Sequence, residues 1–134
     1  MGRLPPLLKD QPTWSQVTLA LIVPSVYGLI TGFVLGHSEG GYLILGLLGI
    51  LGGAAAGFDH DGTSAGAARG LLGGTLFGVG ILIGHEIEGS EAKADIPHPA
   101  ILLLVITVGL GVILGAIGGR LRGRVIERTA AASA

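Results

Sequence analysis

With 49% hydrophobic side chains, 13% charged ones and 26 glycines in 134 residues, the chain cannot cover a water-facing globule with polar groups, and its uncharged runs exceed ordinary core helices. A formal net charge of −1 gives no reason to expect a nucleic-acid partner, and the absence of cysteine excludes disulfides and thiolate chemistry. The glycines follow no three-residue period and are interleaved with Leu, Ile and Val, so neither collagen nor a flexible linker is encoded. These properties describe an all-α integral membrane protein, and bilayer-spanning segments must bond their own backbones as helices despite glycine's poor intrinsic propensity.

Residues 1–12 read as an N-terminal surface segment, with Arg3, Lys9 and Asp10 beside the pair Pro5-Pro6. Neither a myristoylation signal nor a cleaved signal peptide is expected, because Pro6 occupies the place of the usual Ser or Thr and the apolar stretch that follows is too long. Thr13 and Gln16 have capping-box spacing, with Thr13 as the expected N-cap and Trp14 at the interface. Val17 to Gly36 is uncharged over about twenty residues, enough to cross roughly 30 Å of hydrocarbon. Pro24 lies inside it and should kink the helix, with Ser25 placed to help satisfy the freed carbonyl.

His37 to Gly40 reads as a polar turn, and Gly41 to Phe58 as a second uncharged span with Tyr42 at its outer interface. Asp59-His60-Asp61-Gly62 breaks the pattern, and Thr63 or Ser64 is placed to cap the next helix. The strictly uncharged part of the third segment, Gly70 to Gly84, covers only about 22 Å. It spans if it starts near Ala65 and Arg69 extends its guanidinium toward head groups; a re-entrant hairpin is the competing reading. After an acidic loop from Ile87 to Pro99, with Pro97 and Pro99 at a helix entrance, Ala100 to Gly119 is the clearest span and runs into Arg120, Arg122, Arg124 and Arg128. Four crossings place Arg3, Lys9, Arg69 and the four tail arginines on one side and leave Lys93 alone opposite, the asymmetry of a protein with both termini in the cytoplasm. The expected organisation is therefore a surface segment (1–12), one four-helix transmembrane domain (13–124, spans about 14–36, 41–58, 65–84 and 99–119) and a basic cytoplasmic tail (120–134), in a cell membrane of the bacterial cytoplasmic type.

Glycine recurs at four-residue spacing in every span, so each series falls on one helix face where a partner backbone can approach. The expected glycine-zipper (GxxxG) packing positions are Gly32 in the first span, Gly49, Gly53 and Gly57 in the second, Gly66, Gly70, Gly74 and Gly78 in the third, and Gly111, Gly115 and Gly119 in the fourth; Gly28, Gly36 and Gly123 extend the same spacing. On this reading Gly74→Leu forces two backbones apart, and Gly74→Ala is much milder. The seams admit contacts within one subunit or between copies, and self-association is expected.

No H-E-x-x-H, Walker-type G-K-[ST] or complete G-x-G-x-x-G occurs, so no enzymatic activity and no cofactor are expected. Two ionisable clusters remain. His37, Glu39, His85, Glu86 and Glu88, with Glu91, Asp95 and His98, crowd the outer connections; imidazole with carboxylate suits a transition metal, and carboxylates alone concentrate cations. The same residues also read as solvated loop side chains. Asp59, His60 and Asp61 form the inner cluster. Arg120, Arg124 and Arg128 share one helix face, where they mark topology or grip anionic lipid head groups.

Four glycine-seamed spans, with Ala55, Phe58 and Arg69 at the spacing of the first part of its signature, resemble the mitochondrial inner-membrane preprotein translocase family. Gly73 stands where that signature has aspartate and Ile81 where it has glycine, and no function is carried over. Two functions follow from the residues: a homo-oligomer that transports or conducts cations, or a non-catalytic accessory subunit packed against a larger membrane complex.

Overall fold

The computed structural model describes residues 4–134; Arg3 lies outside the described residues. A 3-10 turn at Leu8–Asp10 precedes four helices, α1 (Thr13–Leu35), α2 (Glu39–Phe58), α3 (Thr63–Glu88) and α4 (Ile101–Ser133), each long and apolar enough to span a membrane. No strand occurs among the described residues. The third segment, least apolar with a mean hydropathy of 1.5 against 2.7 for α4, is one unbroken helix of 26 residues. At 1.5 Å per residue it is about 39 Å long, too long and too continuous for a re-entrant hairpin.

Helix starts differ from the sequence reading. Thr13 is the first helical residue, with Pro12 before it, and the Gln16 amide reaches back to the Gln11 carbonyl at 2.8 Å rather than closing a capping box. Neither Thr63 nor Ser64 caps α3, which starts from Gly62 at φ +93°. Ser38 does cap α2, its hydroxyl accepting from the Gly41 N–H at 3.0 Å. Gly89 at φ +77° ends α3 in the left-handed region, its N–H donating to the His85 carbonyl. The Leu102 N–H donates to the Pro99 carbonyl at 2.9 Å, fixing the start of α4.

Pro24 perturbs α1 by widening it. Thr18–Ile22 forms a π-helical segment in which the Val23 N–H donates to the Thr18 carbonyl, and the proline that follows has no N–H. The Leu19 carbonyl therefore loses both main-chain donors within reach. Arg69 Nη2 of α3 donates to it at 2.6 Å, whereas Ser25 bonds its own Leu21 carbonyl. The expected role of Ser25 belongs to Arg69, whose guanidinium reaches across to α1.

α3 is central, packed against α4 on one side and α1 on the other; α2 leans mainly on α4 and meets α1 and α3 more sparsely. Between α3 and α4, a Cβ placed on Gly66, Gly70 or Gly74 would meet the main chain at Gly115, Gly111 or Thr107, and one on Gly111, Gly115 or Gly119 would meet Gly70, Gly66 or Gly62. Gly78 faces the Thr107 side chain. Against α1, Gly28 and Gly32 meet the main chain at Phe77 and Ile81, and Gly80 and Gly84, absent from the four-residue series, meet Ser25 and Leu29. α2 contributes only Gly57 to such a contact, opposite Gly115, while Gly118 answers from α4 against Ala54.

Several spacing-based assignments are corrected by this geometry. A Cβ on Gly49 would face the rings of Phe77 and Tyr27 at 3.2 and 3.4 Å, one on Gly53 would lie 3.8 Å from Leu114 Cδ1, Gly36 is covered by the Glu88 carboxylate, and a Cβ on Gly123 would meet nothing within 4 Å. Only Gly57 of the series 49, 53, 57 reaches a neighbouring main chain, in keeping with the sparser packing of α2 against α1 and α3 than against α4. At Gly74 even alanine is not mild, since its Cβ would sit 3.0 Å from the Thr107 carbonyl carbon and closer to the oxygen.

Both ends of the bundle are tied down. At the loop end, Leu35, Ile81, Ala94 and Leu103 form a buried cluster with Tyr42, Phe77 and Ile96 against it. There the Lys93 N–H donates to the Leu35 carbonyl and the Ser90 hydroxyl to the Gly36 carbonyl, both at 2.9 Å, so the 89–100 loop seals the terminus of α1. At the tail end, the Leu8 N–H donates to the Asp59 carbonyl at 3.0 Å. The long flanks of the helices carry exposed Leu, Ile and Val throughout.

Candidate functional site

At the loop end the expected cluster is only partly assembled. His37 Nδ1 lies 3.5 Å from Glu88 Oε1 and 3.1 Å from the Phe33 carbonyl, with its ring stacked on Phe33 at 5.0 Å. Glu88 Oε2 accepts from the Ser90 hydroxyl at 2.6 Å and the Ser90 N–H at 3.1 Å. This carboxylate is thereby committed to holding the loop against Gly36. Glu39 and Glu86 are exposed, as are Glu91, Asp95 and His98; Glu39, in the first turn of α2, complements that helix's positive end. His85 is half-buried, and its Nδ1 is shielded without a hydrogen-bond partner. Among the described residues no three His, Asp or Glu side chains converge as a metal-binding group would require.

The tail end holds Asp59, His60 and Asp61 around the turn, with His60 Nδ1 3.1 Å from the Ala56 carbonyl. Arg120, Arg124 and Arg128 are exposed on the part of α4 that continues past the bundle. Arg122 behaves differently. It is 5% exposed, donates from Nη1 to the Phe58 carbonyl at 3.1 Å and from Nη2 to the Pro5 carbonyl at 2.7 Å, and lies over the Phe58 ring. It satisfies the C-terminal end of α2 and ties the N-terminal segment to it. Sequence carried the signal: Gly115, Gly118 and Arg122 fall at i, i+3 and i+7, so Arg122 sits on the packed face, away from the stripe.

A third feature has no counterpart in the sequence reading. A cavity of about 510 Å³ lies between the four helices in their tail-end half, bounded by Leu19 to Tyr27 of α1, Leu48 to Ala56 of α2 with Asp59 just beyond its end, Arg69 to Phe77 of α3 and Thr107 to Leu114 of α4. Its walls are almost wholly apolar, and its charged lining residues are Arg69 and Asp59. Tyr27 closes the far end, its hydroxyl donating to the Leu45 carbonyl at 2.7 Å and its ring stacked with Phe77. The lining residues Leu19, Val23 and Leu48 are 38%, 48% and 52% exposed, so the cavity opens sideways between α1 and α2. Arg69 points into it, with its Nη1 only 2.9 Å from where a Cβ on Gly73 would lie; glycine at that position clears a bed for the guanidinium. Pro24 is the signal for Arg69, because a proline inside a span demands a donor from elsewhere and this arginine is the cation that a span contains.

No family model matches the chain, and no curated protein or solved structure matches it.

Proposed function

We propose that this chain is a multi-pass protein of the cytoplasmic membrane, both termini in the cytoplasm, that acts as a non-catalytic packing subunit docked onto a larger complex or onto copies of itself. The supporting observation is the close main-chain approach of α3 to α4 and to α1, which reads as glycine-zipper packing and leaves no lumen between those helices. Lys9, Arg69, Arg122 and the exposed arginine stripe gather at the tail end, and Lys93 lies at the other, in keeping with a cytoplasmic tail end. The stripe itself suits anionic head groups of that leaflet.

A cation-transport role has less support. The loop-end carboxylate nearest the bundle, Glu88, is engaged by Ser90 and His37, and the cavity between the helices is lined by a guanidinium as well as a carboxylate. Any cation route would have to run between protomers. Reconstitution of the purified protein in liposomes tests this: no sodium or potassium flux above empty vesicles is expected, while cross-linking in native membranes yields discrete higher-mass species. Cation flux proportional to protein content would overturn the proposal.

A further inference from the structure

We infer that the side cavity binds one acyl chain of a zwitterionic aminophospholipid, with the lipid phosphate on Arg69 and its ammonium on Asp59. This goes beyond the packing role and does not depend on it.

Size and lining speak for a hydrocarbon guest. About 510 Å³ falls within the roughly 300–1,000 Å³ of ligand pockets, and the wall is apolar apart from its charged rim. An empty space of this size loses contacts along its whole lining, whereas the bilayer offers acyl chains directly at the opening between α1 and α2. Leu19, Val23 and Leu48 frame that opening and are exposed to it.

The charges choose the head group. Arg69 spends one N–H on the Leu19 carbonyl and has five to offer. The side-chain ion pair found among the described residues is His37 with Glu88, so no carboxylate lies within 4 Å of Arg69. Asp59 lines the same rim without pairing to it. A cation and an anion that border one apolar cavity without closing a salt bridge complement a head group carrying both signs. A purely anionic head would satisfy Arg69 and be repelled by Asp59. A choline head presents its positive charge without N–H donors, whereas a primary ammonium donates to a carboxylate.

The test is native mass spectrometry of the full-length protein released from detergent, titrated in turn with phosphatidylethanolamine, phosphatidylglycerol, phosphatidylcholine and free oleate. The wild type is expected to retain one phosphatidylethanolamine, favoured over phosphatidylglycerol by roughly fivefold, the worth of one partly exposed charge pair. Asp59→Asn should abolish that preference, and Arg69→Gln should weaken all three phospholipids. Gly53→Leu fills the cavity from a position where a Cβ meets nothing nearer than Leu114 at 3.8 Å, and should remove the retained lipid while circular dichroism and melting stay at wild-type values. Equal or tighter binding of phosphatidylglycerol by the wild type, survival of the preference in Asp59→Asn, or retention unchanged in Gly53→Leu would each overturn the assignment. Displacement of the phospholipid by equimolar oleate would overturn it in favour of a free fatty acid.

Discussion

Gly109 and Gly111 stand two residues apart in α4, at nearly the same depth and with the same intrinsic helix propensity, yet a methyl group at each meets different surroundings. At Gly109 a Cβ finds nothing within 4 Å. At Gly111 it would lie 3.0 Å from Gly74 Cα and 3.1 Å from the Gly70 carbonyl carbon, and closer still to the oxygen, where ordinary contact begins at 3.4 Å. Backbone cannot rotate away as a side chain can, so α4 must retreat by about 0.5–1 Å, which forfeits a quarter to a half of each van der Waals contact along the seam. On the order of twenty atom pairs at about 0.15 kcal/mol each then lose about 1 kcal/mol, and residual strain brings Gly111→Ala into the overpacking range of about 1–3 kcal/mol. Because the propensity gain from glycine to alanine is common to both variants, their difference isolates the contact. Unfolding by SDS in mixed micelles, followed by circular dichroism, should place Gly111→Ala below Gly109→Ala by about 1–3 kcal/mol, where 1.4 kcal/mol corresponds to roughly a tenfold change in equilibrium constant. Coincident transitions for the two variants would refute the close approach of α3 to α4.

Arg69→Met removes the donor from the Leu19 carbonyl and should cost about 1.5–3 kcal/mol; in a Pro24→Ala background, where residue 24 regains its N–H, the cost should fall, with a coupling on the order of 1 kcal/mol by double-mutant cycle. Equal costs in both backgrounds would show that the arginine does not serve the widened segment of α1. Arg122→Met should release the N-terminal segment, read as faster hydrogen exchange at the Leu8 amide that donates to Asp59; unchanged protection would mean that Arg122 is not the tether. Because the chain lacks cysteine, Ser64→Cys and Ser133→Cys should react with an impermeant maleimide from the cytoplasmic side and Glu91→Cys from the outside. Labelling of positions 64 and 91 from the same side rejects four crossings.

What the chain settles by itself is the solvent it is made for and the number of helices. Uncharged runs near twenty residues demand lipid, lipid demands helices, and the glycine spacing marks faces able to approach closely; these are local properties of consecutive residues. Even Arg122 was legible in principle, since its register with Gly115 and Gly118 follows from helical periodicity alone. The tertiary structure decided which faces meet. A four-residue period is the same whether a face looks at another helix, at a ring or at hydrocarbon, so Gly57, Gly49 and Gly123 are indistinguishable in sequence and differ entirely in contact. The cavity arises the same way, because the space between four helices depends on how closely α2 packs against α1 and no single residue encodes that spacing. Arg69 joins the two levels: Pro24 announces a missing hydrogen bond locally, but a donor supplied from fifty residues away appears only once α3 has packed beside α1.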